Sequence, residues 1–135
     1  MTDNATMEQK PESGALLAAV EDGDVQAVEK LLRRGADFNE RCPIGRTPMM
    51  VAAYRGDDVM MQLLITSGAD IDAKTNTGWT ALVYAIAGSH MESLRLLINN
   101  GANAHLHTDG GDTAQSIAEK LKKTHMAELL KEYVS

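Results

Sequence analysis

A short motif recurs at a fixed interval. Gly35-Ala36-Asp37 returns as Gly68-Ala69-Asp70 and again as Gly101-Ala102-Asn103, each step spanning 33 residues. A second marker keeps the same step: Gly45-Arg46-Thr47-Pro48, Gly78-Trp79-Thr80-Ala81 and Gly111-Asp112-Thr113-Ala114. Two markers in one register point to a repeat architecture, in which each period is one supersecondary unit that buries its apolar side only by stacking on its neighbours.

Each unit carries local start and stop signals. Thr47, Thr80 and Thr113 are expected N-caps, whose side-chain oxygens accept free amides of a first helical turn. Pro48 suits the first helical position, where its missing N–H costs nothing. Gly35, Gly68 and Gly101 follow the apolar run of a second helix, where a left-handed residue ends it. Ala19, Ala52, Ala85 and Ala118 share one register position, read as a close-packing seam. Leu31, Leu64, Leu97 and Leu130 form an apolar column, with Val28, Met61, Leu94 and Ala127 three residues earlier on the same face. Met49, Met50, Met60 and Met61 fall on apolar positions and are read as core filling.

This pattern resembles the ankyrin repeat. Residues 45–72 carry it best, through Gly45, Thr47, Pro48, Ala52, Ala53, Gly56, Leu64, Gly68, Ala69 and Asp70. The resemblance implies an all-α solenoid of about four units, each a projecting hairpin-like turn followed by two antiparallel helices. The expected division is a disordered segment 1–13 and an array 14–135, with repeats at 14–44, 45–77, 78–110 and 111–135. The histidine that follows the family's Thr-Pro-Leu is replaced by Met50, Val83 and Ser116, so its hydrogen-bonded bridges between turns are not expected here. The first unit lacks the Gly-x-Thr-Pro turn. Gln115, Glu119 and Lys131 replace apolar residues of the register in the last, which is therefore expected to be a C-terminal cap that ends the array.

Composition narrows the function. The 135 residues hold 13 Lys+Arg against 19 Asp+Glu, a net charge of −6, and 44% are hydrophobic. A general nucleic-acid binder needs a basic face, so that class is set aside. No run of about 18 apolar residues or apolar signal core occurs, and one cysteine, Cys42, cannot form an internal disulfide. A cytoplasmic protein without membrane association, monomeric when unbound, is expected.

No catalytic constellation is legible, and no cofactor is expected. His105 and His107, two apart, could share one side of an extended segment and hold a metal. No third ligand or zinc motif accompanies them, so they read as polar residues between repeats, leaving a small metal-dependent protein as the alternative of a different class. Cys42 has no nucleophile pattern around it, and no phosphate-binding glycine loop occurs.

Recognition remains. The resemblance implies a non-enzymatic module, an adaptor or regulator, that binds a partner protein across its concave face and hairpin tips. A stoichiometric inhibitor of a partner enzyme or toxin is the variant within that class. The family's outward positions fall on Ile44 and Arg46 of the first turn, Asn76, Thr77 and Trp79 of the second, and Asp109 and Asp112 of the third. Tyr54 and Arg55 join them from the end of a first helix. Trp79 occupies a position held by Arg46 and Asp112 elsewhere, so it is expected to be partly exposed and to anchor the partner, or else to fold over a neighbouring turn. As an anchor, its replacement by Ala would weaken binding with the thermal midpoint nearly unchanged. Nine acidic against four basic residues in 1–40 hold most of the negative charge, a solubilising face or a steering field for a basic partner.

Overall fold

A computed structural model describes residues 11–134. The expected disordered segment therefore lies, for residues 1–10, outside the described residues. Eight helices and no strands occur among the described residues: α1 Ala15–Asp22, α2 Val25–Arg33, α3 Pro48–Arg55, α4 Asp58–Ser67, α5 Ala81–Ala87, α6 Met91–Asn99, α7 Ala114–Lys120 and α8 Thr124–Val134. They form four antiparallel pairs. First helices pack in the order α1, α3, α5, α7, and second helices in the order α2, α4, α6, α8.

The core lies between these two rows and follows the register. Ala52, Ala85 and Ala118 are fully shielded, and Ala19 nearly so. Leu64, Leu97 and Leu130 are buried, whereas Leu31 in the first pair is half-buried. Met49, Met50, Met60 and Met61 are all buried, as core filling requires. Glu119 and Lys131 are exposed and Gln115 is half-buried beside Glu119, giving the last pair a polar outer side.

Helix starts explain the register in detail. Thr47 accepts the Met50 N–H at 3.4 Å, and the Met50 sulfur accepts the Thr47 N–H at 3.4 Å. Thr113 and Ser116 make the same reciprocal pair at 3.2 and 2.9 Å. Between them the expectation for Thr80 needs correcting: it holds the N-cap position but makes no side-chain cap bond. Its reciprocal partner would be Val83, which carries no polar side-chain atom. The substituted histidine position thus decides which caps close on themselves.

Second helices begin on Asp24 and Asp57, which accept the Ala27 and Met60 amides at 3.1 and 3.2 Å. Gly35, Gly68 and Gly101 take positive φ at 88, 106 and 85°, as expected. The first-to-second-helix turn has its own left-handed position, occupied by Gly23, Gly56, Ser89 and Lys122 at φ 72, 72, 62 and 60°. Side chain-free residues fill it only in the first two pairs.

Candidate functional site

The segments between pairs project as three fingers of one design. The Gly45 N–H donates to the Cys42 carbonyl at 2.8 Å, and the Cys42 N–H to the Arg46 carbonyl at 3.0 Å. Thr75–Trp79 and Thr108–Asp112 repeat both bonds at 2.8–2.9 Å. Adjacent fingers also bond to each other. The Asn76 N–H donates to the Ile44 carbonyl at 3.1 Å, and the Asp109 N–H to the Thr77 carbonyl at 2.9 Å. The position equivalent to Asn76 and Asp109 in the first finger is Pro43, which has no N–H, so this edge of the ladder offers no donor.

Below the fingers a second ladder fixes their spacing. Asn39 Oδ1 accepts the Asp70 N–H and Asp72 Oδ1 accepts the Asn103 N–H, both at 2.8 Å. Lys74 Nζ reaches the His107 carbonyl at 3.2 Å, and Arg41 makes the equivalent bond to the Lys74 carbonyl. The fingers are held by backbone and side chain together, a preorganised surface.

A match to ankyrin repeats, in three copies, covers residues 16–108. The chain belongs to the ankyrin-repeat family. No curated protein matches the chain. In this ankyrin array the nine candidate contact residues fall into two groups, according to whether their side chains are already engaged.

Several are engaged within the scaffold. Asn76 Nδ2 donates to the Pro43 carbonyl at 2.9 Å, and Arg55 donates to the Glu21 carbonyl at the end of α1 at 2.7 Å. Asp112 pairs with Lys120 Nζ at 2.8 Å and accepts Ser116 Oγ at 3.0 Å. Lys120, then Ser116, hold its carboxyl below the ordinary carboxylate range. Thr77 and Asp109 contribute backbone to the ladder and stay exposed.

Trp79 and Tyr54 converge on one residue missed by sequence reasoning, Tyr84 of α5. Its ring lies 5.3 Å from the Trp79 indole at 59° and 6.3 Å from the Tyr54 ring at 89°, the offset and edge-on geometries aromatic pairs prefer. Burial pushes its phenol pKa up, against the pull of the nearby Arg46 charge. A signal for it exists: Tyr84 stands in a register position otherwise held by Ala18, Val51 and Ile117. Trp79 is half-buried, partly exposed as expected, yet packed on Tyr84 and the core. Its loss therefore costs packing, and the expectation of an unchanged thermal midpoint is corrected. Ile44 and Tyr54 remain 55% and 53% exposed.

Arg46 is half-buried, with its Nε closed off from solvent and without a hydrogen-bond partner. It also acts on Cys42. Burial raises that thiol, but the backbone amides of Arg46 and Ile44 and the Arg46 side chain outweigh it, and the pKa ends below 9.0. His105 and His107 are exposed, and the His105 N–H is taken by Asn103 Oδ1 at 2.9 Å, a turn role. Among the described residues no group of three His, Cys, Asp or Glu could hold a metal. No described helix is long and apolar enough to cross a membrane.

Proposed function

We propose that this ankyrin array is a non-enzymatic adaptor or regulator, monomeric when unbound, that captures a partner protein on its concave face and finger tips. Ankyrin repeats are generally protein–protein interaction modules. The observation that carries the reading is the cluster of Tyr54, Tyr84 and Trp79, with Ile44 exposed on the neighbouring finger. Aromatic residues and Arg dominate interface energetics, because they bury large area at low ordering cost. Here α3 and α5 hold the two tyrosines and the finger ladder holds Trp79 before any partner arrives.

The experiment is capture of a partner from source-cell lysate, purification of the complex and hydrogen-exchange mapping. Protection gained at residues 43–46, 54–55, 76–79 and 84 is the expected result. Protection confined to the outer sides of α2, α4, α6 and α8 would place the interface elsewhere and overturn the reading.

A further inference from the structure

We propose that the Arg46–Tyr84 corner receives a short partner segment carrying an Asp or Glu beside an apolar side chain, the carboxylate on Arg46 and the apolar group on the rings. This rests on the finger-and-first-helix face being the docking face, and adds the chemistry of what docks there.

Three observations converge. First, Arg46 takes part in none of the ion pairs Arg95–Glu92, Lys120–Asp112 and His125–Glu128, and its side chain acts on the Cys42 thiol instead of a carboxylate. In a chain of net charge −6, leaving a half-buried guanidinium without a carboxylate is an uncompensated cost. Its shielded Nε has no acceptor, and the neighbouring Tyr84 phenol, neutral at ordinary pH, brings no negative charge. A carboxylate arriving at the outer guanidinium nitrogens would gain charge-assisted hydrogen bonds where water is partly excluded.

Second, Arg46 stands one repeat step from Trp79, which belongs to an aromatic platform. Tyr84 is braced by Trp79 on one side and Tyr54 on the other. Ile44 and Tyr54 are two of five large hydrophobic residues that stay exposed among the described residues; Tyr54 meets the Tyr84 ring, and Ile44 is two residues from Arg46 in the same finger. An apolar side chain laid there removes their surface from water, while an acidic neighbour meets Arg46. A basic segment would meet like charge and is disfavoured.

Third, other cations nearby are tied into the scaffold. Arg41, Arg55 and Lys74 each donate to a backbone carbonyl of a neighbouring unit. Arg46 differs from them in holding a nitrogen, Nε, that is closed off from solvent without an acceptor, so selectivity for a carboxylate is assigned to it.

The test uses a random peptide library displayed on phage, selected on the full chain. Selected sequences are then made as synthetic peptides and titrated by tryptophan emission, since Trp79 is the sole tryptophan. Peptides pairing an acidic with an aliphatic or aromatic residue should enrich and shift Trp79 emission. Arg46→Gln should weaken them about tenfold, as should raised salt, with helicity by circular dichroism unchanged. Arg46→Lys, which keeps the charge but loses the planar fork, should fall between, and serves where Arg46→Gln does not fold. Enrichment of basic or purely apolar peptides, no enrichment, or affinity indifferent to Arg46 would overturn the proposal. If Arg46→Gln leaves peptide affinity intact while the complex from lysate still protects the fingers, the docking face stands and only its acidic preference fails.

Discussion

Glu40 caps a helix that begins 25 residues before it. Its Oε2 accepts the Leu17 N–H at 2.8 Å and its Oε1 the Gly14 N–H at 3.1 Å, serving orphan amides at the start of α1. The other first helices begin after a threonine; α1 begins after Gly14, which has no side chain to cap with. The carboxylate also complements the positive end of the helix dipole. Glu40→Ala should destabilise the protein by about 1–2 kcal/mol in urea unfolding, and Glu40→Gln by less. Hydrogen exchange in Glu40→Ala should quicken first at residues 14–20, ahead of α3 and α5.

The left-handed turn position offers a gain instead of a loss. Ser89 and Lys122 hold φ of 62 and 60°, where Gly23 and Gly56 stand in the first two pairs. A side chain there costs roughly 1–2 kcal/mol, partly offset by the entropy a glycine adds to the unfolded chain. Ser89→Gly and Lys122→Gly should each raise stability by about 0.5–1 kcal/mol, read as a higher denaturation midpoint. The reverse change, Gly56→Ala, should be severe, because a Cβ there falls 2.4 Å from the His90 ring.

Acid should loosen the third finger before the others. Lys120 and Ser116 hold the Asp112 carboxyl below its ordinary range, so the folded protein releases that proton at lower pH than the unfolded chain. The contribution is present above the ordinary carboxylate pKa and is lost as pH falls through the folded value. Asp112→Asn should therefore flatten the decline of the thermal midpoint as pH falls below the ordinary carboxylate pKa of about 4. High salt should shrink the difference between the two proteins, since Lys120 lies in solvent.

Tyr54 and Trp79 should separate binding from folding. Trp79 is packed on Tyr84 and the core, so Trp79→Ala should lower stability by about 1–2 kcal/mol as well as weaken partner binding. Tyr54, 53% exposed with an edge-on contact to Tyr84, should on replacement by Ala lose binding at a stability cost of about 0.5 kcal/mol. Calorimetric unfolding beside a binding titration checks both, and equal stability losses would contradict the burial difference.

How far the sequence reaches depends on how local each signal is. The 33-residue period located the helix pairs, the alanine seam and the methionine core, because each depends on contacts that recur in register. Thr80 lacks the reciprocal bond because that bond needs a polar side chain three residues on, and Val83 has none, while nothing in the sequence explains why its own oxygen leaves the Val83 N–H unbonded. Glu40 was invisible as a cap because the bond spans 23 residues and occurs once. Arg55 and Asn76 look outward by register, yet each bonds a carbonyl of the preceding unit. Tyr84 lay in an apolar column, and its role emerges only where Tyr54 and Trp79 meet it in space. Repeats reveal what is shared among units, whereas a recognition site is built from what differs.

The finger glycines allow the ladder to be weighed on its own. Gly45, Gly78 and Gly111 share nearly one backbone conformation, with φ of 90, 85 and 87°. Alanine therefore brings the same backbone strain at each, about 1–2 kcal/mol. Their surroundings differ. A Cβ on Gly45 would stand 2.8 Å from the Asn76 backbone nitrogen, and one on Gly78 would stand 2.9 Å from Thr108 Cα, while nothing lies within 4 Å at Gly111. At the first two positions the clash is with backbone, which must move, breaking the Asn76–Ile44 or Asp109–Thr77 bond. Gly111→Ala should thus show strain alone, and Gly78→Ala should cost about 1–3 kcal/mol more in urea unfolding. Faster amide exchange at Asp109 in Gly78→Ala, with Asn76 unchanged, would confirm that the extra loss is the finger-to-finger bond; equal costs at all three glycines would show that the fingers stand independently.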